Sequence, residues 1–181
     1  MRGHALAAVL ATTALLAGCS GGSDGDPAPA GASDPAAVQW SPCDDLTAAG
    51  VSTIVGEDVV EQNGTADQPR CTFTPKQKGG AAYDVSYLYY DGGLDAALDA
   101  MGTTGTQLKP VDVPGAKAAR VAVRAKKDGV AVTGFVETQG LVQSVNAAQL
   151  APYDESNITD ATTALLAELA RKAPSTDRMS G

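Results

Sequence analysis

Histidine is the first thing this 181-residue chain lacks. Its only one, His4, falls within the first eighteen residues, which read below as a removable leader, so residues 19 to 181 hold no imidazole. That excludes Ser-His-Asp and Cys-His catalysis, His-ligated zinc and imidazole acid–base chemistry. Glycine-rich phosphate loops are missing as well: neither Gly-x-x-x-x-Gly-Lys-Ser nor Gly-x-Gly-x-x-Gly occurs, which argues against nucleotide chemistry. The expectation is therefore no enzyme, no cofactor and no metal. Basic residues are few, 13 Lys and Arg against 21 Asp and Glu for a formal charge of -8. Without Arg2 of the leader the balance becomes 12 to 21, or -9. A nucleic-acid partner would need a basic stripe to release phosphate counterions, and these cations are scattered.

Aromatic residues make up only 4% of the chain, and much of the 44% apolar share is Ala. The core must therefore be built from Val, Leu, Ile and a few Tyr, enough for one domain without much margin. Long apolar runs are also lacking. The longest, Ala5 to Leu16, is about a dozen residues, whereas a spanning helix needs roughly 20. With Arg2 before it and Leu16-Ala17-Gly18-Cys19 after it, the run reads as the h-region of a lipoprotein signal peptide, residues 1 to 18. The tetrapeptide resembles the bacterial lipobox, in which the Cys thiol receives a diacylglycerol and becomes the new N-terminus. Lipid on Cys19, palmitate included, would supply the two-chain anchor that stable membrane retention requires. The expected location is the extracytoplasmic face of the cell membrane.

From Ser20 to Val38 the chain is mostly Ser, Gly, Asp, Pro and Ala without apolar periodicity, too poor in burial to offset its ordering entropy. Residues 19 to 38 thus read as the lipidated Cys and a disordered tether reaching roughly 25 Å. Residues 39 to 173 read as a single folded domain and 174 to 181 as a flexible tail. With Cys19 assigned to lipid, Cys43 and Cys71 remain as an even pair outside the cytoplasm, which predicts a disulfide. No Cys-x-x-Cys spacing points to redox activity.

The spacing of apolar residues predicts an α+β fold: an antiparallel sheet of about 5 to 6 strands packed against a C-terminal helix and two short helices. The segment Asp44 to Val55 reads as the first helix, with Asp45 or Thr47 as its cap and Gly56 as its stop. Arg70 to Thr74 and Ala82 to Tyr90 alternate as strands. Leu94, Leu98 and Met101 recur at helical spacing after Gly92 and Gly93. Asp128-Gly129 suits a two-residue type I′ turn, which would set Val121 opposite Val136, Ala122 opposite Phe135 and Arg120 opposite Glu137. Gln139-Gly140 suits a second turn, leading into a strand from Leu141 to Ala148. Asn157-Ile158-Thr159-Asp160 resembles a capping box before Ala161, Leu165, Leu166 and Leu169, and Arg171, Lys172 and Pro174 close that helix.

Few residues invite a chemical role. Asp91, Asp95 and Asp99 are spaced by four, but without the alternating ligands of a calcium loop they read as the solvated side of the second helix. Tyr83, Tyr87, Tyr89 and Tyr90 lie along one strand and could offer a binding surface, although packing explains them as well. Asn63-Gly64-Thr65 and Asn157-Ile158-Thr159 match glycosylation acceptors and read instead as a turn and a helix cap.

The strings Trp40-Ser41-Pro42-Cys43-Asp44-Asp45-Leu46, Arg70-Cys71-Thr72-Phe73 and Val113-Pro114-Gly115-Ala116-Lys117-Ala118 resemble uncharacterised actinobacterial lipoprotein families. Those families carry a lipobox, a low-complexity spacer, a Pro-Cys-x-x-Leu helix start and a second Cys on a strand. The resemblance covers most of residues 40 to 172 and implies an α+β sandwich similar to PsbP, without implying an activity or functional residues. A Gly-x-Gly-Asp-x-Ala stretch usual in the families lacks its Asp here. The expectation is a monomeric, non-catalytic binding module of the cell envelope, anchored through Cys19 and facing a protein, lipid or glycan. A carrier of small hydrophobic ligands or lipids is the alternative, and a carboxylate-only hydrolase the third.

Overall fold

A computed structural model describes residues 40–65, 68–102 and 108–174. The leader, Cys19, the spacer through residue 38 and the tail from residue 175 lie outside the described residues. After a 3₁₀ turn at Pro42–Asp44 come α1 (Ala48–Val55), β1 (Val59–Thr65), β2 (Gln68–Pro75), β3 (Ala82–Tyr89) and α2 (Gly93–Ala100). These are followed by β4 (Lys109–Pro110), β5 (Ala118–Lys126), β6 (Gly129–Thr138), β7 (Leu141–Leu150) and α3 (Glu155–Lys172). The strands form one seven-stranded sheet in the order β1-β2-β3-β7-β6-β5-β4, antiparallel at every pairing. The fold is α+β, as the apolar spacing predicts, with a sheet wider than expected.

Strand β1 is one source of that width. It is an edge strand with a single buried residue, Val59, so it has none of the in-out alternation by which a half-buried strand is read from sequence. Asn63 and Thr65, expected in a turn, belong to this strand at an irregularity in its register.

The helices begin where side chains can satisfy free backbone donors. Thr47 caps α1 through the N–H of Gly50, and Gly56 ends it in the left-handed region. Met101, expected on the packed side of α2, is 44% exposed, because that helix ends at Ala100. For α3 the cap is Asp154, whose carboxylate accepts from the N–H of Asn157. The expected capping box at Asn157 to Asp160 is therefore inside the helix, because Asp154 meets the chain three residues earlier.

The β5–β6 hairpin also departs from its expected register. Lys126 pairs with Gly129, so Lys127 and Asp128 form the loop, and Val121 faces Gly134, Ala122 faces Thr133 and Arg120 faces Phe135. Gly129 serves a close approach instead of a turn: a Cβ there would lie 2.7 Å from the Gln149 carbonyl oxygen on β7. Both registers keep each residue on the same side of the sheet, since the partners change by two positions. The β6–β7 turn matches expectation, with positive φ at Gln139 and Gly140.

Helices cover the sheet on both sides. On one, α1 and α3 bury Phe73, Tyr83, Val85, Val132 and Val145 beneath Val51, Ile158, Leu165 and Leu166, all at most 1% exposed. Gly134 lets α3 approach, with the site of its missing Cβ 2.8 Å from a Leu166 methyl carbon. The predicted Cys43–Cys71 disulfide is formed and ties the 3₁₀ turn to β2. By chain entropy such a loop contributes about 3.5 kcal/mol. On the other side α2 sets Leu94, Ala97 and Leu98 on Phe135 and Val142, leaving the far part of that side uncovered.

Candidate functional site

The uncovered part of the sheet is graded in composition, and the strand register shows how. Beneath α2 Leu88 lies opposite Val142, and Phe135 opposite Ser144. Away from that helix polar side chains take over. Ser86 and Ser144 share a 2.8 Å hydrogen bond, Thr72 donates to Asp84, and Thr133 donates to Asn146. Beyond them Ala82 pairs with Ala148, Ala148 with Ala131, and Ala131 with Arg124, which makes a row of alanines across three strands. Ala131 and Ala148 are exposed.

A solvent-facing strand ordinarily carries longer polar or β-branched residues, and alanine is a poor strand former. Here the alanines form the floor of an open groove of about 530 Å³, walled by Pro75, Gly79 and Gly80 on one side and by Leu150 on another. Arg124 and Lys126 rise beside it from β5. A smaller groove of about 330 Å³ continues over Thr72, Asp84, Thr133 and Asn146. Leu150 is 77% exposed at the rim. Sequence reasoning missed this surface, because three alanines in an alanine-rich chain carry no signal until the register aligns them.

The four tyrosines do not form one surface. Tyr83 is 1% exposed in the core under α3, where burial, with Glu57 nearby, pushes its phenol up to about 12. Tyr90 packs with α2 against Leu94 and Leu98. Tyr87 and Tyr89 do meet, edge to face at 5.7 Å, and Trp40 stands edge-on to Tyr87 at 5.3 Å. The Tyr87 hydroxyl donates to the Trp40 carbonyl at 2.7 Å, and Trp40 Nε1 donates to Asp45 at 3.1 Å. Burial raises both tyrosine pKa values, with Tyr89 and Asp44 adding to the shift at Tyr87.

Glu137 is the one charged side chain among the described residues that is buried. Its carboxylate accepts from the Leu94 N–H at 2.8 Å, at the start of α2, and from Lys117 Nζ at 2.7 Å. Burial alone would raise its pKa, but the bonds from Lys117 and Leu94 and the Lys117 charge outweigh burial and the opposing Asp95, leaving it lowered. Its expected partner Arg120 instead reaches Asp95 on α2 at 2.6 Å, so Asp95 holds α2 to β5 as well as facing solvent. A general acid needs a raised carboxyl pKa; Glu137 has the opposite setting and anchors a helix.

No group of three or more His, Cys, Asp or Glu suited to a metal occurs among the described residues. Among them, too, no helix is long and apolar enough to cross a membrane. The chain matches no protein-family model, and neither a curated protein nor a solved structure matches it. Its class accordingly rests on the fold itself, an α+β domain with a disulfide-stapled sheet and one partly open side.

Proposed function

We propose that this protein is an extracytoplasmic lipoprotein, anchored through lipid on Cys19, whose domain acts as a non-catalytic binding module of the cell envelope. The binding reading is carried by one observation: the alanine row Ala82, Ala131 and Ala148 lies open where side chains would normally shield the strands. Such a floor lets an extended, flat partner approach the backbone closely, while Lys126, Asp84 and Asn146 around it offer polar atoms. The membrane reading rests on the Leu16-Ala17-Gly18-Cys19 pattern.

A carrier of hydrophobic ligands would need an enclosed cavity between sheet and helix. Val132, Val145, Leu165 and Leu166 fill that space and are fully buried, and the two grooves over the alanine row open outward, which favours the interaction module. A carboxylate hydrolase would need two carboxylates facing each other in a cleft, whereas Glu137 faces Lys117 and a backbone N–H.

Crosslinking and capture from native membranes, with the chain expressed at its own level, tests the proposal. The intact protein and its Ala148→Glu and Ala131→Glu variants should all sediment with membranes and melt at the same temperature. A partner captured reproducibly by the parent should be lost from both variants. Capture unaffected by either substitution would place binding elsewhere, and a Cys19→Ser chain still sedimenting with membranes would refute the anchor.

A further inference from the structure

The aromatic corner includes Trp40, two residues before the 3₁₀ turn at Pro42–Asp44. Trp40 follows Cys19 by roughly twenty residues, which read from sequence as a spacer of about 25 Å reach. Trp40 is thus the ring closest along the chain to the lipid, and its contacts with Tyr87, and those of Tyr87 with Tyr89, gather the other two rings beside it. Two of the three rings have their polar atoms satisfied inside the protein, Trp40 Nε1 by Asp45 and the Tyr87 hydroxyl by the Trp40 carbonyl. What the corner offers outward is therefore mostly ring surface, including that of the 46% exposed Tyr89, whose hydroxyl is the one polar atom of the three rings left for a headgroup to pair. The neighbouring Asp44 is likewise engaged, by the Ser41 N–H.

We propose that the Trp40–Tyr87–Tyr89 corner rests in the headgroup layer of the membrane that holds the lipidated Cys19. The inference rests on the lipid-anchor reading above. Trp and Tyr favour that layer because their rings are apolar over most of their surface and polar at one point. Tethering raises the effective concentration of the domain at the surface to about the millimolar range, so a contact too weak to hold the free domain is populated once the lipid is inserted. The consequence is orientation. Tyr89 ends β3 and Ala82 begins it, about 23 Å apart at strand rise, and the two point to opposite sides of the sheet. A corner seated in the headgroups holds the alanine groove away from the lipid, open to a partner.

Trp40 is the only tryptophan in the chain, so its fluorescence reports on the corner alone. The lipidated full-length protein is reconstituted into phosphatidylcholine vesicles, with and without bromine on the upper acyl chains, and each sample is floated and its emission measured. Flotation reads the anchor; quenching reads the corner. Rings seated at headgroup level border the upper acyl chain and come within reach of its bromines, so the floated protein should lose emission roughly twofold on brominated lipid. Tyr89→Asp should float equally and recover most of that emission, and Cys19→Ser should neither float nor be quenched. Flotation with unchanged emission would overturn the docked corner while leaving the anchor standing. Failure to float would defeat the anchor reading and this inference with it.

Discussion

Glu137 shows how one side chain can hold an element in place. Strand β6 carries it to the start of α2, where it accepts from the Leu94 N–H, one of the donors a helix leaves unpaired at its first turn. Gly93, at φ 73°, leaves the space it needs, since a Cβ there would meet the carboxylate at 2.8 Å. Lys117 adds an ion pair, but its side chain is 71% exposed, so solvent screens its share. Urea unfolding should therefore show Glu137→Ala costing about 2 kcal/mol, the range for a charged hydrogen bond, and Lys117→Ala less than about 1 kcal/mol. Equal costs would mean that the ion pair, and not the helix anchor, is what matters. The pH dependence has a definite sign. A carboxylate whose pKa is lowered by folding contributes stability above its unfolded value, and that stability is lost as pH falls through the folded one. On acidification below 4.5, the ordinary value for this group, the parent should lose stability faster than Glu137→Gln.

At the level of elements, the start of α3 separates a sequence pattern from the contact that is made. Asp154 accepts from the Asn157 N–H and from the Ser156 hydroxyl, and both bonds lower its pKa. Asp154→Ala should lower the melting temperature and reduce the helical signal in circular dichroism, while Asn157→Ala should change neither. A loss confined to Asn157→Ala would restore the cap the sequence suggested. Much else was legible. Leu165, Leu166 and Leu169 lie on the buried side of α3 as their spacing implies, Gly56 stops α1, and Gln139-Gly140 makes its turn, because each depends on residues close in the chain. The misreadings have a common cause. Gly129 looked like a turn residue and is instead a point of contact with β7, and β1 lacked alternation because the sheet ends there. Both are facts about neighbours remote in sequence, as is the alanine row, which exists only through the pairing of β3, β7 and β6.

On the scale of the whole molecule, the two sides of the sheet have different work. One is closed by α1 and α3 and stapled by Cys43–Cys71; the other is covered by α2 at one end and open over the alanines at the other. That division suits a domain held at one corner and read at the opposite one, and it gives the proposed lipid on Cys19 a mechanical purpose beyond retention. The account depends above all on that lipid. Intact-mass analysis of the protein purified from its native membranes tests this directly: the chain should begin at residue 19 with the mass of a diacylglycerol on Cys19. A chain that keeps its first eighteen residues, or one that begins at an unmodified Cys19, would contradict it.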